Sequence, residues 1–383
     1  MRLSDCYKTE DFRRLARRRL PAPIFHYIDG GADDEVTMRR NSEAFDDVDL
    51  VPNVLAGVDE VDLSVEVFGR RLEMPLFLSP TAMQRLFHPD GELALARVAD
   101  ELGTLFGVST IGTRSIEELG ALTAAPKLFQ IYVHNDPGLT SELISRCREA
   151  RFDALALTVD TTVAGNRERD FHTGMTTPPK LTVASLLSFL GHPGWTLNYL
   201  RAERFDLPNI SSVVDLGSKV QSSVVDYINQ QMKRSISWDD AAAMIDEWGG
   251  PFAIKGIMSV ADARRAVEIG ASAIMLSNHG GRQLDGSRAP FDQLPAIADA
   301  VGGEIEIIVD GGIRRGTHVL KALAMGATAC SSGRLYLYAL AAAGTAGVRR
   351  ALTLFRDELL RDMQLMGCRA LAELGPSSVA RRP

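Results

Sequence analysis

The sequence predicts an α/β chain folded as a (β/α)8 TIM barrel, with an N-terminal helical lead-in and an insertion after the fourth strand. Three observations predict it. Short, nearly continuous apolar runs recur eight times, stretches of helical periodicity lie between most of them, and one gap in the series, roughly 160–250, is too long for a single strand–helix unit. A strand buried on both faces of a parallel sheet reads as an unbroken apolar run. Strand alternating with helix over eight repeats is the pattern of a closed parallel barrel.

Taken in order, the first ~60 residues read as helical lead-in. The strands then follow as PLFLSP (75–80), TLFGVST (104–110), KLFQIYV (127–133) and DALALTV (153–159). After the gap come PFAIK (251–255), SAIMLSN (272–278), EIEIIVD (304–310) and ATACSSG (327–333). GELALARVADEL (91–102) and SVADARRAVEIG (259–270) have the amphipathic spacing of barrel helices. Within the gap, SWDDAAAMIDEW (237–248) starts with Ser237 and carries Asp240 three positions on, a capping-box start. Residues 171–235 read as an insertion at one end of the barrel, and the tail 344–375 as helix closing the outside. No low-complexity tract or linker divides the chain, so residues 1–383 are expected to form a single domain.

A chain of 383 residues can bury a large core, and 45% hydrophobic with 24% charged residues is ordinary globular composition. With 42 Lys+Arg against 49 Asp+Glu the net charge is -7, which offers no basic stripe for nucleic acid. Cys6, Cys147, Cys330 and Cys368 are scattered, without C-x-x-C or a His/Cys cluster. They read as reduced thiols of a cytoplasmic protein, with no zinc site or other metal expected. The N-terminus lacks the apolar run of a secretory signal, and its five arginines between Arg13 and Arg19 read as a solvated helix face, with contact to anionic lipid the alternative. The stretch LTVASLLSFLGHPGWTLNYL (181–200) has no Asp, Glu, Lys or Arg. Its Gly191, Pro193 and Gly194 argue against a membrane span, leaving a membrane-surface contact or an internal packing segment.

Barrel enzymes build their sites at the C-terminal ends of the strands. Those ends are polar here: Pro80, Thr81 and Ala82; Ser109; Gln130 and Tyr132; Thr158 and Asp160; Lys255; Ser277, His279 and Arg282; Asp310 to Arg314; Gly333 and Arg334. One strand-end lysine or histidine is more often surface or core than catalytic, but packing does not account for eight such ends on one rim. After the last two strands, Gly311 and Gly312 with Arg314, then Gly333 with Arg334, suit a phosphate: glycines admit close backbone approach and arginines add forked donors. His279 can take a proton near neutral pH, Asp160 can stabilise the resulting imidazolium, and Arg282 can hold a carboxylate. No G-x-G-x-x-G follows a strand, which disfavours a nicotinamide cofactor.

SPTAMQRLFHPDGE (79–92), FQIYVH (129–134), LTVDT (157–161), IKG (254–256), SNHGGRQLDG (277–286), VDGGIRRG (309–316) and SGR (332–334) together resemble the FMN-dependent L-2-hydroxy acid dehydrogenase/oxidase family. The resemblance runs from about Tyr27 to Leu374. It implies that Pro80, Thr81, Ala82, Ser109, Gln130 and Thr158 contact the flavin ring or ribityl chain, with Lys255 beside the ring's N1/C2 edge. It implies FMN contacts for Ser277 and Asp310, and a phosphate site at Gly311, Gly312, Arg314, Gly333 and Arg334. His279 would be the base, supported by Asp160, with Tyr27, Tyr132, Arg167 and Arg282 on the substrate. Whether the proton leaves the hydroxyl or the α-carbon, the same His279 would take it.

Glycolate oxidases of that family carry Trp where this chain has Ile111, and the aliphatic residue resembles the lactate-type dehydrogenases. GNRERD (165–170), FHTGM (171–175) and HPGWTLNYL (192–200) resemble the bacterial lactate and mandelate dehydrogenases, whose insertion here is thought to touch the membrane. The resemblance thus implies oxidation of L-lactate to pyruvate, a quinone or cytochrome acceptor, a homotetramer, and a place in the cytoplasm or on the inner face of the cell membrane. The alternatives are an O2-using oxidase, a mandelate dehydrogenase, a lyase forming a Schiff base on Lys255, and a phosphate-ligand binder without catalysis.

Overall fold

The computed structural model describes residues 1–175, 182–210 and 232–382. Helices Thr9–Arg19, Ala22–Asp29 and Val36–Glu43 form the lead-in, which ends in a short strand β1 (Val48–Leu50). β1 pairs antiparallel with the last strand of the chain, Val379–Arg381, so the tail is clasped to the lead-in. The hairpin of β2 (Val65–Val67) and β3 (Arg70–Leu72) follows. The barrel strands are then β4 (Leu76–Thr81), β5 (Phe106–Ser109), β6 (Lys127–Ile131), β7 (Ala154–Thr158), β8 (Phe252–Ile257), β9 (Ala273–Ser277), β10 (Glu306–Asp310) and β11 (Ala329–Ser332). Every neighbouring pair is parallel and β11 closes on β4, so all eight apolar runs of the sequence are strands of one closed barrel.

Strand alternation sorts the side chains. Leu76, Leu78, Phe106, Phe129, Leu155, Ile254, Ile274 and Val309 join the core between strands and helices. The alternate residues Phe77, Leu128, Ala154, Ala156, Ala253, Met275, Ile308 and Ala329 fill the barrel interior, where Val67, Phe68 and Leu72 of the hairpin join them. That hairpin plugs the N-terminal end, and the Phe68 amide donates to both oxygens of Glu306 at 3.0 Å.

Helices Gly91–Glu101, Val260–Glu268 and Trp238–Trp248 stand where the periodicity put them. Ser237 caps the last of these in a true capping box with Asp240. The helix Arg334–Met366 is broken at Ala343–Gly344; Gly344 has φ +56, and a Cβ there would come within 2.4 Å of His88. Between β7 and β8 the chain forms helices Glu168–Thr173, Val183–Leu190 and Pro193–Arg201. The rest of the insertion expected over 171–235, residues 176–181 and 211–231, lies outside the described residues, as does Leu181 of the uncharged stretch. Among the described residues no helix is long and apolar enough to cross a membrane. All four cysteines are free and buried.

Candidate active site

Toward the C-terminal ends of the strands the interior turns polar. Ser79, Ser109, Gln130, Thr158, Lys255, Ser277, Asp310 and Ser331, one from each strand, are all buried. This polar layer floors a cleft of about 1450 Å³, counting its open mouth. Asp310 is its hub: it accepts from Ser79 Oγ at 2.6 Å, Ser331 Oγ at 2.8 Å and Ser277 Oγ at 2.9 Å, and pairs with Lys255 Nζ at 2.9 Å. Burial alone would raise the Asp310 carboxyl, but the Lys255 ammonium and the serine hydroxyls hold it down at about 2. Desolvation pulls Lys255 the other way, yet Asp310 and Asp160 leave its pKa raised, so the lysine stays charged.

The walls carry the His279–Asp160 pair. His279 sits just beyond β9 in the left-handed region, φ +58, and its Nδ1 lies 3.0 Å from Asp160 Oδ1. That contact leaves Nε2 for the cleft, which His279 lines. Burial raises the Asp160 carboxyl, but His279 beside it and then Lys255 bring it below its ordinary value. Gln283 fixes the Asp160 loop, donating to the carbonyls of Asp160 at 2.8 Å and Val163 at 2.9 Å.

Opposite stands the lead-in helix Ala22–Asp29, which brings Tyr27 to the mouth. The guanidinium carbons of Arg167 and Arg282 each lie 5.2 Å from the centre of the Tyr27 ring. Arg282 donates to the carbonyls of Tyr27 at 2.8 Å and Gly30 at 2.9 Å. Desolvation, then the like charge of Arg167, lowers its pKa to about 10. Two guanidiniums brought together in a desolvated place call for an anion between them. Tyr132 lines the same side, its hydroxyl pushed up by burial.

The helix is anchored by Asp29, which is buried and accepts from Arg13 at 2.5 and 2.8 Å, Arg169 at 2.9 Å and Tyr338 at 2.8 Å. Arg334 ties down the same segment through the carbonyls of Ile28, Gly30 and Gly280. These contacts occupy three of its five N–H groups. Arg314 faces the cleft and donates to the Ile313 carbonyl at 2.8 Å, and desolvation lowers its pKa to about 10. Between them lie Gly311, Gly312 and Gly333; a Cβ on Gly312 would come within 1.8 Å of the Asn41 carbonyl, at φ +75.

The FMN-dependent dehydrogenase family matches residues 16–381 of this chain. The chain belongs to that family, among the 2-hydroxy acid dehydrogenases and oxidases. An L-lactate dehydrogenase of Allorhizobium ampelinum is 41% identical over 372 residues, covering 97% of this chain and 98% of that protein. Among solved structures, a monotopic membrane (S)-mandelate dehydrogenase superposes with a TM-score of 0.94 at 34% identity, covering 99% of this chain and 100% of its own. A mandelate oxidase reaches 0.83 at 35% identity, covering 98% of each chain.

The interior of this FMN-dependent dehydrogenase fits its cofactor. In the polar floor, Gln130 Nε2 and Thr158 Oγ1 are buried without a hydrogen-bond partner among the described residues. A flavin ring edge, with carbonyls and ring nitrogens, offers such groups partners, and the Gly311–Arg314 and Gly333–Arg334 corner offers a phosphate its donors. Of the residues picked out from sequence, Tyr27, Pro80, Thr81, Ala82, Ser109, Tyr132, Arg167, Lys255, His279, Arg282, Asp310, Gly311, Gly312, Arg314, Gly333 and Arg334 all line the cleft. Gln130, Thr158 and Ser277 are buried in the floor, and Asp160 is bonded to the lining residue His279. Sequence reasoning missed Ser79, Ser331, Gln283 and Asp29. The two serines were within reach, because each occupies the inward parity of its strand.

Proposed function

We propose that this enzyme oxidises an L-2-hydroxy acid, L-lactate foremost, to the 2-oxo acid, and passes the electrons to a quinone or cytochrome. The observation that carries the reading is the placement of the Arg167–Arg282 pair on the cleft that His279 also lines. The pair, with Tyr27 and Tyr132, holds the substrate carboxylate and hydroxyl. His279 Nε2 takes the proton, and Asp160 keeps the ring oriented and stabilises its positive form. Bound FMN supplies the two-electron oxidant. Lys255, fixed by Asp310 and Ser277, places a lasting positive charge against it, while Ser109, Gln130, Thr158 and the Pro80–Ala82 segment contact the ring or ribityl chain. Gly311, Gly312, Arg314, Gly333 and the spare donors of Arg334 take the phosphate.

Lactate is supported by the curated relative and by Ile111, buried at the cleft wall, where an aliphatic side chain leaves room above a small acid. The Schiff-base reading has little support, since Lys255 is ion-paired and held charged rather than primed as a nucleophile. A membrane-bound acceptor is supported by the helices after β7. Val183, Leu186, Leu187 and Leu190, an i, i+3, i+4, i+7 stripe, are all exposed, as are Leu197 and Leu200. Such a stripe suits a helix lying in a membrane interface. The test compares reoxidation of the reduced enzyme by a dye, a short-chain quinone and air. Fast dye and quinone turnover with slow peroxide formation supports the reading, and rapid peroxide production moves the protein to the oxidases.

A further inference from the structure

We propose that a second cavity, which shares Phe87 as a wall with the flavin cleft, receives the headgroup of a membrane quinone and is the exit for the electrons. The inference rests on the dehydrogenase reading above and adds to it a place. The cavity measures about 810 Å³ with its mouth, and Arg19, Arg85, Phe87, His88, Trp195 and Tyr199 are among its walls. Phe87 is buried and lines both this cavity and the cleft. On the cleft side its ring stacks on Tyr27, with centroids 6.3 Å apart and planes 28° apart. Phe87 is thus a wall of both spaces.

The lining suits a flat ring bearing two carbonyl acceptors. Trp195 and Tyr199 are stacked with centroids 5.1 Å apart, and the Trp195 indole is pinned by its bond to the Leu86 carbonyl at 2.8 Å. Arg85 is 8% exposed; its terminal nitrogens are held by the carbonyls of Glu203 and Arg204, while its Nε–H is buried without a partner among the described residues. The positive Arg85 side chain, one of the cavity's walls, suits a carbonyl-bearing ring. His88, its pKa lowered by burial, adds a ring that is neutral at physiological pH.

Access comes from the apolar side. Helix Pro193–Arg201 turns Trp195, Asn198 and Tyr199 to the cavity and leaves Leu197 and Leu200 exposed on its other face. A headgroup with an apolar tail therefore enters where the tail can stay in lipid, and exposed Arg18 and Arg19 at the rim meet anionic headgroups. A quinone bound there would take up two electrons, which bound FMN would supply from the oxidised substrate, and two protons, its two carbonyls becoming hydroxyls.

The experiment uses the FMN-loaded full chain and decylubiquinone as probe, reading Trp195 fluorescence and turnover. Wild type should show saturable quenching that Trp195→Phe abolishes. Asn198→Phe or Ala202→Phe, each filling the cavity, should lose the quenching and raise the quinone KM at least tenfold. Dye-linked kcat, the lactate KM and the flavin spectrum should stay unchanged, which also shows that the variants fold. Unaltered quinone binding and turnover in both filled variants would overturn the proposal. So would quenching displaced by phosphatidylglycerol vesicles with quinone kinetics untouched, which would make the cavity a lipid-headgroup site. A wild type that reduces dyes but no quinone overturns the acceptor reading itself, a distinct result.

Discussion

Lys255 Nζ and Asp310 Oδ2 form a 2.9 Å ion pair in the floor of the cleft, with Ser277 Oγ bonded to both. Both residues are buried, so removing either leaves a charge without its partner. Losing one member of such a pair costs about 3–5 kcal/mol. Lys255→Met is therefore expected to lower Tm clearly and to weaken FMN retention, checked by thermal melts and by the flavin left after gel filtration.

The same pair sets an acid limit. The folded pKa of Asp310 is depressed to about 2, so its stabilising contribution is present above the unfolded value of about 3.9 and is lost as pH falls through about 2. Lys255, raised in the fold, contributes fully below its unfolded value of about 10.4 and loses that contribution only as pH rises beyond it. Stability from the pair should be flat across neutral pH and decline between about pH 4 and 2. Asp310→Asn should be less stable at pH 7 and show a shallower acid limb, read from unfolding free energies against pH.

Asp160 Oδ1 lies 3.0 Å from His279 Nδ1. Asp160→Asn keeps the shape and removes the charge that stabilises the protonated ring. By analogy with other base–carboxylate pairs, kcat should fall about 10²–10⁴-fold while the protein stays yellow. Stopped-flow flavin reduction checks this; an unchanged rate would remove His279–Asp160 from the chemistry.

Arg282 and Arg167 flank Tyr27 within 5.2 Å. Arg282→Lys keeps a positive charge but gives up the planar fork, so the lactate KM should rise and kcat/KM fall about 10²-fold or more. Steady-state kinetics and binding of a 2-oxo acid to the oxidised enzyme measure the two effects.

The exposed stripe gives a separate test. Leu186→Glu with Leu190→Glu should release the protein from anionic vesicles in a sedimentation assay while dye-linked turnover is retained, because both side chains are exposed and neither lines the cleft.

Much of this site could be read from the chain. The eight strands stood out because each is an apolar run buried on both faces, and the polar rim followed from where such runs end. Ser79 and Ser331 carry little signal of their own, since the recognisable polar and glycine residues lie at Pro80–Ala82 and Gly333–Arg334, although inward parity places both serines in the floor. Asp29 gave no local signal: its partners Arg169 and Tyr338 lie 140 and 309 residues away, and only folding brings them together. The uncharged stretch 181–200 marked an unusual surface, but its outward direction appears only once Ser188 accepts from the Ala22 amide at 2.9 Å, docking the helix on the lead-in and leaving its leucines to solvent.

The most direct test is an anaerobic titration of the holoenzyme with L-lactate, followed in the visible spectrum. The flavin bands should bleach with L-lactate and not with D-lactate, and His279→Ala should keep its bands through the same titration. A protein that stays oxidised with every L-2-hydroxy acid offered, or bleaches equally well without His279, would contradict the account.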